Sequence, residues 1–246
     1  PRPPQLEDDE LLVWFLSRLD ALTPYLAPSL LERLVAAPTL DRIRTGSERR
    51  WVTVMMLSVE GLPDLMPCWG DEARLQSAVE EPNQIFIQIR DAIQRYDGIV
   101  NKITVSPSGP YIMALFGAPR AHEDDPLRAV LAALELQEMF GGSLSFGINT
   151  GYVFAGDVGT ARRREYTVMG DEVNLAARLM SKCRPGEIWL GPNTSHHPAV
   201  TRRVAGEFGA PTKFKGKTEL LTPFIARGLR PVFLGAPASD VTIVGR

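Results

Sequence analysis

One run limits the fold more than any other. Residues 51–61 read WVTVMMLSVEG, rich in β-branched and other apolar residues with almost no polar interruption. An amphipathic surface strand alternates apolar and polar residues. A run this apolar predicts a central strand buried on both faces, and so a chain with enough mass to cover both. With 246 residues and 44% hydrophobic content, the chain can build one sizeable core with appendages.

The segments around that strand predict an α+β order. Upstream, 7–20 (EDDELLVWFLSRLD) carries apolar residues at 11, 12, 15, 16 and 19 with acids in its first turn, a helical stripe. A second helix is expected over 27–37, with Ser29 as N-cap. The charged TGSERR, 45–50, reads as a hinge and domain boundary. Downstream, 82–96 forms a helix with Ile85, Ile89, Ile93 and Tyr96 inward, ended by Asp97-Gly98. Residues 99–106 and 111–117 form an antiparallel pair around PSGP. A helix over 125–140 opens at Asp125-Pro126. Two short strands are expected within 143–159, around Thr150-Gly151. RREYTVMG, with Tyr166, Thr167 and Val168 reading as a strand, leads into a helix at 171, a further strand covers 186–191, and 211–228 reads as a hairpin-like pair. The sum is β-α-β-β-α-β with additions: a ferredoxin-like sandwich, its sheet covered by helices on one face and preceded by a short helical segment.

Composition excludes several classes. A net charge of −2, from 27 basic and 29 acidic residues, argues against nucleic acid as a partner. No apolar run approaches the ~18 residues of a membrane span. Cys68 and Cys183 are too few for a disulfide framework or metal cluster, and read as free thiols of a reducing, cytoplasmic compartment. The chain starts without Met and stops at DVTIVGR, which suggests a piece of something longer.

The stretch that carries chemistry is REYTVMGDEVNLAARL, 164–179. Asp171 is expected to cap the helix and Glu172 suits its positive end, while Val173, Leu175, Ala176 and Ala177 pack. Asn174 and Arg178 are four apart and share a face. Small neighbours imply a close-packed helix, so this polar pair is expected to point at a ligand. A permanently charged, forked guanidinium suits phosphate oxygens.

YTVMGDEVNLAARL resembles the signature segment of class III nucleotidyl cyclases, and FGINTGYVFAGDVGT (146–160) resembles the strands before it. VTVMMLSVEGL is similar to the family's first strand, YDGIVNK with ALFGAP to its central hairpin, and KFKGKTELLTPF to its last one. The resemblance runs over roughly 51–229. Its layout is closest to the second cyclase homology domain of soluble, bicarbonate-responsive-type adenylyl cyclases. IVGR at 243–246 resembles the start of the ATPase module that follows in such proteins. The implied domains are a helical lead-in at 1–48, a cyclase homology domain of the C2 type at 49–229, and a linker at 230–246.

What the resemblance implies is a composite active site. In the family two cyclase domains pair head to tail. One supplies two metal-binding Asp residues. The other supplies the purine-reading and transition-state residues. Carried over by position, Lys102 reads the purine with Thr167, the Thr form suggesting adenine. Asn174 orients the ribose, Arg178 steadies the triphosphate, and Lys215 contacts phosphate. The implied substrate is ATP, giving cyclic AMP and pyrophosphate. The metal positions depart from the pattern. Ser58 stands at the first, and Ser106 or Pro110 at the second; no acid lies between Asp97 and Glu123. Glu60, two residues beyond Ser58, is the nearest substitute. Mg²⁺ or Mn²⁺ is therefore expected on a partner domain and not on this chain. The alternative is an inactive pseudocyclase serving as a nucleotide-sensing, dimerisation or regulatory module.

Other polar features carry less. Arg162, Arg163 and Arg164 read as a solvated loop, and His122, His196 and His197 lack the company of a metal site. GKT at 216–218 is not a P-loop, because Pro211 stands where the motif requires its first Gly.

Overall fold

The structure, a computed structural model, describes residues 48–59, 72–106, 109–160, 163–215 and 219–231, with Val13, Trp14, Ser17, Arg18 and Ala21 of the leading segment. The chain divides into two compact units, Pro1–Gly46 and Ser47–Arg246. In the first, those five residues are helical, and the Ser17 hydroxyl donates to the Trp14 carbonyl. The helix expected over 27–37 lies outside the described residues.

The second unit begins with β1 (Glu48–Val59), followed by α1 (Glu72–Arg95), β2 (Ile99–Ser106), β3 (Gly109–Phe116), α2 (Asp125–Met139) and β4 (Leu144–Thr160). These strands lie side by side in the order β2-β3-β1-β4, all neighbours antiparallel. That is the strand order a βαββαβ chain produces when each helix crosses over one face, as the sequence predicts. The chain continues through β5 (Arg163–Met169), α3 (Asp171–Lys182), β6 (Ile188–Leu190), two short helices α4 (Pro192–Ser195) and α5 (Pro198–Arg203), and β7 (Val204–Phe208). Then come β8 (Thr212–Lys213), β9 (Leu220–Leu221) and β10 (Phe224–Leu229). Strands β6, β10 and β7 extend the sheet beyond β4, β5 pairs with β4, and β8 and β9 form a separate two-stranded hairpin.

β1 is buried on both faces. Met55, Leu57 and Val59 join one core with Ile89 and Ile93 of α1 and Val130, Ala133 and Leu136 of α2. Val52, Val54 and Met56 join a second core with Val153, Val168 and Ala176. Each such side chain contributes roughly 1.5–3 kcal/mol on burial. The polar exception, Thr53, is satisfied: its hydroxyl lies 2.9 Å from that of Thr150, which lies 2.8 Å from that of Thr194.

Four expectations are corrected. Helices cover both faces of the sheet rather than one, because α3 packs over the side opposite α1 and α2; a strand apolar on both sides requires this. Residues 144–160 form one strand, not two, since Gly151 stays in the ladder opposite Val52. Glu48–Arg50 are not hinge residues but the first rungs of β1, opposite Ala155–Val153. α1 starts at Glu72 and runs through Pro82.

Candidate active site

Two segments far apart in sequence meet through one amide. β2 carries a bulge: Val100 pairs with Ala114 and Lys102 with Met113, leaving Asn101 without a rung of its own. Nδ2 of Asn101 donates to the Tyr166 carbonyl on β5 (2.8 Å), and the Thr167 hydroxyl donates to Asn101 Oδ1 (3.2 Å). Beneath this stitch, Ile99 and Tyr111 of the β2–β3 hairpin and Tyr166 and Val168 of β5 share the second core. Thr167 is thus tied to the residue beside Lys102. The Lys102 side chain is exposed, and Thr167 is half-buried.

The helix that follows is placed by a glycine. A Cβ on Gly147 would lie 2.1 Å from the Ala176 carbonyl oxygen and 2.3 Å from the Met180 nitrogen, so α3 lies with its backbone against β4. Its N-cap is Gly170, at φ 150°, and no side chain caps it. Asp171 is the first helical residue rather than the expected cap. Ala176, Val173, Ala177 and Met180 turn toward the sheet, while Leu175 and Leu179 join Phe214 in a small third core. Asn174 and Arg178 fall on the remaining face, the first exposed and the second half-buried. Phe214, 1% exposed, anchors the turn after β8 that carries Lys215, which is itself exposed.

Lys102, Asn174, Arg178 and Lys215 share one property. Among the described residues, none of their side chains has a hydrogen-bond or ion-pair partner. For a half-buried guanidinium this is uncommon, since most such groups are paired. A cleft of about 620 Å³ lies elsewhere, lined by Glu172, Leu175, Asn193, His196, Phe208 and Leu220 among others, and it contains none of these four residues.

Among the described residues of this domain no ligand set for a divalent metal comes together. Ser58, half-buried, stands opposite Tyr111 on one side and Ser145 on the other, neither a carboxylate. Pro110 offers no ligand side chain, and no group of three His, Cys, Asp or Glu residues comes together among the described residues. The side chains of Glu60 and Ser106 lie outside them. Of the cysteines, Cys183 is free, donates to the Glu187 carbonyl (3.0 Å), and has its thiol pushed up to about 12 by burial. Cys68 lies outside the described residues.

The turn into β2 is held from the other side of the sheet. Asp97, at φ 59°, receives the Arg128 guanidinium of α2, and Tyr96 donates to Glu135 (2.9 Å). Asp125 is 5% exposed and accepts from the His122 backbone N–H (2.8 Å); burial pushes its carboxyl above the ordinary range despite that bond. Arg128 holds the Asp124 carboxyl below it.

The sequence model of the adenylate and guanylate cyclase catalytic domain matches residues 48–226, the span that builds this sheet and this site. The chain belongs to the class III nucleotidyl cyclase family. Among curated relatives, this cyclase domain is 30% identical over 190 residues to the uncharacterized protein Rv1318c of Mycobacterium tuberculosis, covering 74% of this chain and 34% of that one. The chain thus spans about a third of the curated relatives it matches. The adenylyl cyclase CyaB from P. aeruginosa superposes with a TM-score of 0.65 at 23% identity, over 75% of this chain and 97% of that one. The guanylyl cyclase Cya2 does so with 0.60 at 27%, over 77% and 98%. A bacterial light-regulated adenylyl cyclase gives 0.66 at 14%, over 88% and 62%. Relatives of both base specificities share the fold. No helix among the described residues is long and apolar enough to cross a membrane.

Sequence reasoning missed Asn101. A signal was present: VNK puts two polar residues side by side in a strand, where alternation would separate them, and a bulge is how a strand accommodates this.

Proposed function

We propose that this cyclase domain is a C2-type half of an adenylyl cyclase. It supplies base-reading and transition-state groups to an active site completed by a second, metal-bearing cyclase homology domain of the same longer chain or another. The single observation that carries this reading is the set of unspent polar side chains. Lys102, Asn174, Arg178 and Lys215 have no internal partner among the described residues, and Asn101, the residue beside Lys102, is bonded to Thr167. A pure dimerisation module has no use for all of them.

Each group has a part in converting ATP to cyclic AMP. Lys102 donates to a ring nitrogen of adenine, and the Thr167 hydroxyl accepts from the 6-amino group. Asn174 orients the ribose so that its 3′-oxygen faces the α-phosphorus. As that oxygen attacks and pyrophosphate departs, charge grows on the phosphoryl oxygens. Arg178, fixed on α3, stabilises it by roughly 2–4 kcal/mol, as such donors do. Lys215 holds the polyphosphate. Mg²⁺ or Mn²⁺ belongs to the partner domain, which supplies the carboxylates this half lacks. The domain assignment of 1–48, 49–229 and 230–246 goes with this reading, and a free Cys183 fits a cytoplasmic setting.

The lack of a carboxylate partner at Ser58 favours a second reading, a pseudocyclase that binds nucleotide and regulates a neighbouring module. The experiment is cyclic AMP formation from Mn²⁺-ATP by the chain alone and mixed with a metal-competent cyclase domain. Activity only on mixing, lost in Arg178→Ala, supports the catalytic half. Silence from domains shown to associate rejects it for the pseudocyclase.

A further inference from the structure

We propose that Asn101 is a positioning residue that sets the choice of purine: it accepts the one hydrogen bond the Thr167 hydroxyl can donate, so that only the lone pairs of that hydroxyl face the base and a 6-amino purine is selected over a 6-oxo purine. The inference rests on the adenylyl cyclase reading above and deepens it.

A threonine hydroxyl has one hydrogen to give and two lone pairs to offer, and left free it turns to suit either kind of neighbour. A free hydroxyl opposite a purine therefore discriminates poorly, donating to a 6-oxo group as readily as it accepts from a 6-amino group. In this protein the hydroxyl is not free. Its hydrogen goes to Asn101 Oδ1 at 3.2 Å. The amide cannot turn round to release it, because Nδ2 is committed to the Tyr166 carbonyl at 2.8 Å; a flipped amide would set two carbonyl oxygens against each other. The backbone enforces the arrangement. The β2 bulge takes Asn101 out of the ladder and aims it at β5, while returning Lys102 to register opposite Met113. One local irregularity thus positions the base-reading lysine and polarises its threonine partner.

The test uses the chain paired with a metal-bearing cyclase domain. ATP and inosine triphosphate, which carry an amino and an oxo group at C6, compete against a fluorescent ATP analogue. The wild-type pair is expected to prefer ATP. Asn101→Ala should shrink that preference about tenfold, the worth of one hydrogen bond, both by weakening ATP and by strengthening inosine triphosphate. Thr167→Ala should shrink it by a similar factor, and the double variant by little more than either, because the two act as one unit. Asn101→Asp, which keeps an oxygen to accept from Thr167, should retain most of the preference even where overall affinity falls. An ATP preference untouched by Asn101→Ala, equal losses for both nucleotides, or a wild type that binds both equally well overturns the role of Asn101 while leaving the composite site standing. Failure of either nucleotide to bind domains that do associate removes the composite site itself, and this inference with it.

Discussion

Lys182 holds its ammonium 5.5 Å from the centre of the Phe214 ring, closing the end of the small core that Phe214 forms with Leu175 and Leu179. This places the β8 end, and Lys215 with it, beside the helix that carries Asn174 and Arg178. Phe214→Ala should cost about 3 kcal/mol, at the low end for a buried ring because this core is small. Lys182→Ala should cost less than about 1 kcal/mol, as an exposed cation over a ring does. Urea unfolding of the two variants separates these values. In the paired domains, Phe214→Ala should weaken nucleotide binding at least as much as Lys215→Ala, because it releases the segment as well as the charge.

Gly147 is the closest approach in the fold that bears on the site. An added methyl would meet the backbone of α3 at Ala176 and Met180, atoms that cannot swing aside as the end of a side chain can. Gly147→Ala should therefore destabilise the domain by about 3 kcal/mol, at the upper end for overpacking. Gly151→Ala is the contrast. Its new methyl would meet the Glu172 side chain, which can turn aside at the expense of the hydrogen bond it accepts from Asn149 (2.6 Å), and the cost should stay near about 1 kcal/mol. Thermal midpoints of the pair provide the check. A Gly147→Ala protein as stable as Gly151→Ala would mean that α3 rides further from β4 than described.

Much of this architecture is legible in local pattern. The apolar run of β1, the paired strands around PSGP, the Asp-Pro opening of α2 and the small residues of α3 each point to the element that forms. What local pattern hides is partnership. Thr150-Gly151 looks like a turn, yet it stays extended because β1 pairs along the whole of its length and Glu172 fills the space a side chain would take. Glu48–Arg50 look like a hinge because the partners that make them strand lie about a hundred residues on. The polar residues of α3 announce themselves by spacing. Asn101 does not, because its meaning depends on Tyr166 and Thr167, which only the folded chain brings to it.

The carboxyl of Asp125 predicts a pH signature of its own. Burial raises its folded pKa above the ordinary value of about 3.8. A raised carboxyl binds its proton more tightly when folded. Its contribution to stability is thus fully present below the unfolded value and is lost as pH rises through the folded one. Asp125→Asn cannot titrate and keeps an oxygen to accept from the His122 N–H. The stability difference, wild type minus variant, should fall as pH rises above the ordinary carboxylate value and level off once the folded carboxyl has lost its proton. Urea unfolding at several pH values measures it. A difference that rises with pH would mean that the His122 contacts outweigh burial.

Metal response is the last expectation, and it separates the two halves of the proposed site. Ser58 faces Tyr111 and Ser145 rather than acids, and no group of three His, Cys, Asp or Glu residues forms among the described residues. A site filled at a hundred times its dissociation constant stabilises a protein by about 2.7 kcal/mol. For a domain of this size that amounts to a rise of roughly 5–10 °C in thermal midpoint. Millimolar Mn²⁺ should therefore leave the midpoint of this chain within about 1 °C of its metal-free value. Added to the chain mixed with a metal-bearing cyclase domain and ATP, the same Mn²⁺ should raise the midpoint by several degrees. A rise of that size in the chain alone would mean a metal site on this chain, with Glu60 the first residue to replace. It would also undo the assignment of the metal to the partner.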